Sequence, residues 1–253
     1  AEAARTLSEE EFLNLFRQEA GALLALPAHA NLARFVTFDA GAKPKPILVM
    51  ELVEGPTLER VLERGDLDIG KALELLDGIG AGLQGMHRVD IGHLDVKPSN
   101  VILRAEVGPE GEETVRPVLV DFGLAGRNLR PGCATGPYGA PEIWGLLPPN
   151  YEPRPMAADV YAYACLAYET LTGDTLFDGA SELAVIQSHL SHDGFPDKLQ
   201  ALCAKKGMQT LGELIGNGLR RHPGERISVQ EMREGFQELR QSLSKWEWPL
   251  RAA

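Results

Sequence analysis

The stretch His93–Asn100, HLDVKPSN, sets an acid, a lysine and an amide along one short turn: Asp95, Lys97 and Asn100. Pro98 in its midst forbids an α-helix, so a loop must present the three side chains. Further on, Asp121 stands in VDFG at the end of an apolar run. Phosphoryl transfer from a nucleotide asks for an acid to orient the acceptor hydroxyl, a cation near the moving phosphate and hard oxygen ligands for Mg²⁺. These four residues supply that set in a suitable order. Each has a plainer reading as well, since Asp95 and Asp121 could serve as turn caps. His93 reads as a packed core histidine. His189 and His192, in SHLSH, have the spacing of a metal pair, which is the weaker reading beside a packed structural role. Cys133 has Arg130 as its sole evident basic neighbour and is expected to be inert.

The elements that must hold these residues are legible in outline. Ser8 and Glu11 form a capping-box pattern ahead of Phe12, Leu15, Phe16, Glu19 and Leu23, which recur at helical spacing. Glu19 stands among the apolar positions and so should face a cation. Two β-like runs, Leu32–Phe38 and Ile47–Val53, are split by the turn DAGAKPKP. Leu76, Ile79, Leu83 and Met86 share one face of a helix that leads into HLDVKPSN. Val101–Leu103 and Val118–Val120 read as short buried strands around an exposed insertion, EVGPEGEET. Residues 122–158 are rich in Gly and Pro and read as a long functional loop. Asp159 is expected to open a central core helix, DVYAYACLAYETL, that Gly173 closes. Amphipathic helices follow from Ser181, and the last opens with a capping box from Ser228 to Glu231.

Taken together, the motifs resemble those of a eukaryotic-type Ser/Thr protein kinase domain. The resemblance implies Asp95 as catalytic base, Lys97 as the phosphate-facing lysine, and Asn100 and Asp121 as Mg²⁺ ligands. TGPYGAPE (135–142) resembles the segment that receives the peptide. Asp159 matches the acid that pins the catalytic-loop backbone, and Arg226 matches the partner of Glu142. FRQEAGALLAL resembles the αC helix, which makes Glu19 the acid that grips a lysine. MELVEGPTL resembles the hinge, with Met50 as gatekeeper and the backbone of Glu51 and Val53 facing adenine; Thr57 and Ile102 would line the same nucleotide site. These matches are ordered over roughly 210 residues, which single triplets never are.

The implied fold is α+β and kinase-like with two lobes. Residues 1–53 would form a truncated N-lobe of one helix and two strands, and residues 54–253 a complete, mainly helical C-lobe. The implied ligands are ATP and Mg²⁺, and the implied partner is a protein substrate.

Two departures qualify the match. Position 94 is Leu where the family often has an Arg that receives an activating phosphate. Between Asp121 and Glu142 the only hydroxyl residues are Thr135 and Tyr138, both at substrate-docking positions. Activation-loop phosphorylation is therefore not expected to switch this protein on. The second departure is that no G-x-G-x-x-G precedes the αC-like helix. The lysine that Glu19 should grip ordinarily lies about 15–20 residues earlier, and AARTL (3–7) would place Arg5 there. An upstream segment or a partner is expected to complete the N-lobe. A pseudokinase scaffold is the alternative to an active Ser/Thr kinase. A small-molecule phosphotransferase would share Asp-x₄-Asn but has no reason to carry APE with a distant Arg226.

Composition bounds the rest. The 253 residues include 25 Lys plus Arg and 36 Asp plus Glu, a formal charge of −11. Such a balance speaks against nucleic acid or an anionic membrane as partner. Three widely spaced cysteines suggest neither a disulfide framework nor a zinc site, which fits a reduced cytoplasmic setting. No apolar run approaches a membrane span and no signal peptide is visible. The chain begins with Ala, which suggests a processed or excised product.

Overall fold

The computed structural model describes residues 21, 23–39, 41–42, 47–108, 111–130, 132–133, 136–145 and 154–251. The αC-like helix up to Ala20, with Glu19, and the AARTL segment with Arg5 lie outside the described residues, as does Thr135.

Among the described residues there are two two-stranded antiparallel sheets and seven α-helices. Strand β1 (Phe35–Asp39) pairs with β2 (Ile47–Met50). Helix α1 (Leu58–Arg64) follows, started by the Thr57 side chain and ended by Gly65 in the left-handed conformation. Helix α2 (Ile69–His87) is capped by Asp68, whose carboxylate accepts from Lys71 N at 2.8 Å. Leu76, Ile79, Leu83 and Met86 are fully buried along it, as their spacing predicts.

Strands β3 (Val101–Val107) and β4 (Glu113–Leu119) form a hairpin longer than the sequence suggests. Both ends of the acidic insertion are strand, because Glu106 and Arg116 clasp each other across the sheet at 2.7 Å and hold the outer ends together. Helix α3 (Pro155–Thr172) also starts earlier than expected. Pro155 supplies the first turn, so Asp159 sits one turn inside the helix instead of opening it. From Ala158 to Thr172 every residue but Glu169 is buried. Gly173 ends the helix at φ 75°, as the sequence predicts.

Helices α4 (Glu182–Leu190), α5 (Asp197–Ala204), α6 (Gln209–Gly218) and α7 (Val229–Leu243) pack around α3 and α2. The Ser228–Glu231 capping box is present at the start of α7. Close packing of α2 on α7 depends on Gly80: a Cβ there would lie 2.6 Å from Arg233 Cγ and 3.0 Å from the Tyr163 hydroxyl. Among the described residues, no helix is long and apolar enough to cross a membrane.

Candidate active site

Asp95, Lys97 and Asn100 converge. The Asp95 carboxylate is 2.8 Å from Lys97 Nζ, and Asn100 Nδ2 donates to the same carboxylate oxygen at 2.8 Å. Asn100 Nδ2 also donates to the Asp95 carbonyl at 2.9 Å, closing the loop on itself. Pro98 does not exclude every helix: Pro98–Asn100 is a single 3-10 turn with the proline at its first position, where no N–H is needed. That turn aims Asn100 back at Asp95. Since the amide nitrogen is spent on Asp95, the Asn100 side-chain oxygen remains as the hard donor of the pair.

Asp121 is tied to this loop through its backbone. Val120 N donates to Asn100 O at 3.0 Å, His93 lies 3.1 Å from Val120 O, and Gly92 and Gly126 exchange bonds of 2.9 Å in both directions. Asp121 itself adopts φ 61° and stands exposed, with one carboxylate oxygen accepting from Gly123 N at 3.2 Å. Its other oxygen and the Asn100 amide oxygen are hard donors of the kind Mg²⁺ takes. The donor set thus fits Mg²⁺. Among the described residues no cluster of three or more His, Cys, Asp or Glu forms a rival metal site.

The loop is pinned from below. Asp159, 1% exposed, accepts from Leu94 N at 2.7 Å and from His93 N at 2.8 Å, and it meets His87 Nε2 at 2.8 Å. Those bonds hold Leu94 at φ 64°, a conformation that costs a branched residue energy unless the surroundings enforce it. The Leu94 side chain is buried, so no cation is offered at that position. His93 is buried against Phe122, and loss of solvent holds its pKa below the ordinary value, which keeps the ring neutral.

Glu142 and Arg226 meet as the resemblance implies, at 2.6 and 2.8 Å in a two-pronged pair with both side chains fully buried. The guanidinium also donates to the carbonyls of Ala157, Arg220 and Arg221 and lies 4.9 Å over the Tyr161 ring. All five of its donors are thereby used.

The hinge-like stretch is placed less completely. Met50 ends β2, Glu51 N donates to Arg34 O at 2.9 Å, and the Val53 side chain is buried. The Glu51 side chain turns to Arg104 at 2.9 Å; burial works against its charge, but the bonds from Arg104 and from the Arg34 backbone hold its pKa below the ordinary value. Thr57 spends its hydroxyl capping α1 while its backbone bridges Ile102. Glu19 lies outside the described residues.

Two features escape a linear reading. Tyr138, in the docking turn, donates a 2.5 Å hydrogen bond to Glu169 of α3. Burial, then the neighbouring carboxylate, pushes the phenol well above its usual range, and burial likewise raises Glu169. The signal for it is present, since Glu169 is the one acid inside the apolar run after Asp159. The second feature is a cavity of about 430 Å³ beside Lys97, lined by Glu59, Leu62, Glu63, Tyr138 and Glu169. Among the described residues, His189 and His192 belong to no group of three or more His, Cys, Asp or Glu side chains placed to hold a metal ion, and they are buried among Tyr161 and Phe177.

Comparison with known proteins agrees with this geometry. The sequence model of the protein kinase domain matches residues 3–235. The serine/threonine-protein kinase PknL of Mycobacterium bovis is 36% identical over 199 residues, covering 75% of this chain and 46% of its own length. PkaB of Streptomyces coelicolor, also a serine/threonine-protein kinase, is 32% identical over 248 residues, 92% of this chain and 54% of its own. PknA of Corynebacterium glutamicum is 31% identical over 234 residues, 86% and 45% respectively. The chain spans about half the length of the curated relatives it matches.

Proposed function

The chain belongs to the protein kinase family, and from that premise we propose that it transfers a phosphoryl group from ATP to a Ser or Thr hydroxyl of a protein substrate. The observation that carries this reading is the Asp95 carboxylate, held between Lys97 Nζ and Asn100 Nδ2 on a loop bonded to the Asp121 segment. A scaffold that only binds partners has no need of all four groups together. In this reading Asp95 orients the acceptor hydroxyl and takes its proton as the oxygen bonds to phosphorus. Lys97 offers positive charge beside the moving phosphoryl group. Asn100 and Asp121 would hold Mg²⁺, which supplies charge neutralisation on the phosphate oxygens when bound. Met50, Glu51, Val53, Thr57 and Ile102 would line the adenine side, and Glu19 would orient a phosphate-binding cation.

A protein acceptor is favoured over a small molecule by the docking turn. Its Tyr138 is anchored to α3 and lines the 430 Å³ cavity beside Lys97, room for a peptide side chain next to the transfer site. Cys133 is an exposed free thiol, which suits the reduced cytoplasm as the place of action. Residues 1–53 and 54–253 are taken as the N-lobe part and the C-lobe.

The test is Asp95→Asn. Phosphate transfer to a Ser/Thr acceptor should fall by about 10²–10⁴-fold, with the melting temperature nearly unchanged. Retained transfer, or a large loss of stability, would show that Asp95 is a structural residue and not the base.

A further inference from the structure

Behind the docking turn, three buried side chains form a hydrogen-bonded chain. Gly194 N–H donates to His192 Nδ1 at 3.0 Å, His192 Nε2 lies 3.2 Å from the Tyr161 hydroxyl, and that hydroxyl lies 2.8 Å from His189 Nδ1. His189 Nε2 in turn lies 2.7 Å from the carbonyl of Gly136, the first residue of the 3-10 turn that carries Tyr138.

Proton bookkeeping fixes every role in this chain. His192 Nδ1 accepts from a backbone amide and must be bare, so its Nε2 carries the hydrogen and donates to the Tyr161 oxygen. The single Tyr161 hydrogen is then directed at His189 Nδ1. That leaves His189 Nε2–H to donate to Gly136 O. Each donor has one acceptor, and both rings are neutral. Loss of solvent, the largest influence on each, keeps both pKa values down at about 4 and so preserves this state. Tyr161 is rigidly seated, fully buried in α3 and stacked under the Arg226 guanidinium. His189 packs on Phe177 with ring centroids 3.9 Å apart.

We propose that His189 is a positioning residue for the protein acceptor: through the relay from His192 and Tyr161 it fixes the Gly136 carbonyl, and with it the turn that places Tyr138 beside the cavity at Lys97. The proposal rests on the kinase reading for its consequence but not for its geometry. The turn is held at two points, by Tyr138 on Glu169 and by Gly136 on His189, and both supports run back to α3. Removing one should loosen acceptor binding and leave nucleotide binding untouched.

Three measurements test it. In the wild type, ¹⁵N spectra of the imidazoles should show His189 and His192 both as the Nε2–H tautomer; either ring as Nδ1–H overturns the relay whether or not the protein is active. His189→Phe keeps a packed ring but has no donor. Amide exchange across residues 138–140 should rise about tenfold, while α3 keeps its protection. His189→Gln, which can still reach Gly136 O with an amide N–H, should restore most of that protection. Tyr161→Phe, which breaks the relay in its middle without altering shape, should give an intermediate rise. Unchanged exchange in His189→Phe, or a rise spread evenly over α3, would overturn the positioning role. With a degenerate Ser/Thr peptide mixture, the acceptor KM of His189→Phe should rise about three- to tenfold with the ATP KM unchanged. If the wild type transfers no phosphate, the kinase reading fails while the exchange data still decide the positioning of the turn.

Discussion

The β1–β2 hairpin and the lobe built on α3 treat their apolar residues in opposite ways. Around α3, Tyr161, Tyr163 and Leu166 are fully buried, and even the charged Asp159, Glu142 and Arg226 are enclosed with every strong bond made. On the hairpin, Val36 is 49% exposed, Ile47 51% and Val49 40%; Phe35, Leu48 and Met50 reach the core only half-buried, and neither strand has a further sheet partner among the described residues. The groups assigned to proton transfer, Mg²⁺ and acceptor placement all hang from the enclosed region. Asp159 grips the catalytic loop, Val120 N ties Asp121 to Asn100, and Glu169 with His189 holds the docking turn. The two regions should therefore differ in rigidity, and the proposed acceptor side would be preorganised by the fold itself.

That contrast can be broken at several points. Arg226→Ala should act most strongly, because it leaves Glu142 buried without its partner; a loss of about 3–5 kcal/mol in unfolding free energy is expected from denaturant titration. A loss under about 1 kcal/mol would mean that water enters and that the region is not enclosed.

The next effect is on pH dependence. His189 and His192 have folded values of about 4 against 6.5 for the free side chain, so an unfolded chain binds protons that the folded one refuses. Their contribution is fully present above pH 6.5 and is lost as pH falls towards 4, at most about 3 kcal/mol for each ring. Arg221 and Arg226 face His192 and lower it further, whereas Asp193 opposes them. His93 is depressed too and adds in the same sense. Between pH 6.5 and 5 ordinary carboxylates stay ionised, so the fall in melting temperature there reports on these histidines together with His29, also lowered by burial, less the opposite contribution of Glu169, which burial raises. His189→Gln should flatten it, and an equally steep slope in that variant would exclude His189 as a contributor.

The smallest effect belongs to the hairpin. Val49→Thr should change unfolding free energy by no more than about 0.5 kcal/mol, as an exposed position allows. A loss of 2 kcal/mol or more, on the order of a buried residue, would show that this face is covered and would erase the contrast.

What was legible in the sequence follows the same division. Asp95, Lys97 and Asn100 meet because five residues of chain and one proline turn bring them together, a local matter. Glu142 and Arg226 lie 84 residues apart, yet the motif at each end predicts their pairing. The Gly- and Pro-rich pattern of 122–158 places the start of α3 too late, because Pro155 reads as loop punctuation although its fixed φ suits a first helical turn. The outer ends of β3 and β4 carry no apolar pattern to mark them as strand, because cross-strand ion pairing holds them together. The His192–Tyr161–His189 relay was out of reach altogether. Its partners lie 28 and 31 residues apart, and only the packing of α4 on α3 sets their distances.

Central to the proposed function is that the enclosed side, through Asp121 and Asn100, carries the Mg²⁺ part of a nucleotide site. The most direct measurement is a thermal shift with ATP, in the presence and absence of Mg²⁺, for the wild type and for Asp121→Asn. A rise in melting temperature that requires Mg²⁺ and disappears in Asp121→Asn is the predicted result. A rise of equal size in Asp121→Asn would contradict the assignment of Asp121 to Mg²⁺, and no rise at all would contradict a nucleotide site carried by this chain on its own.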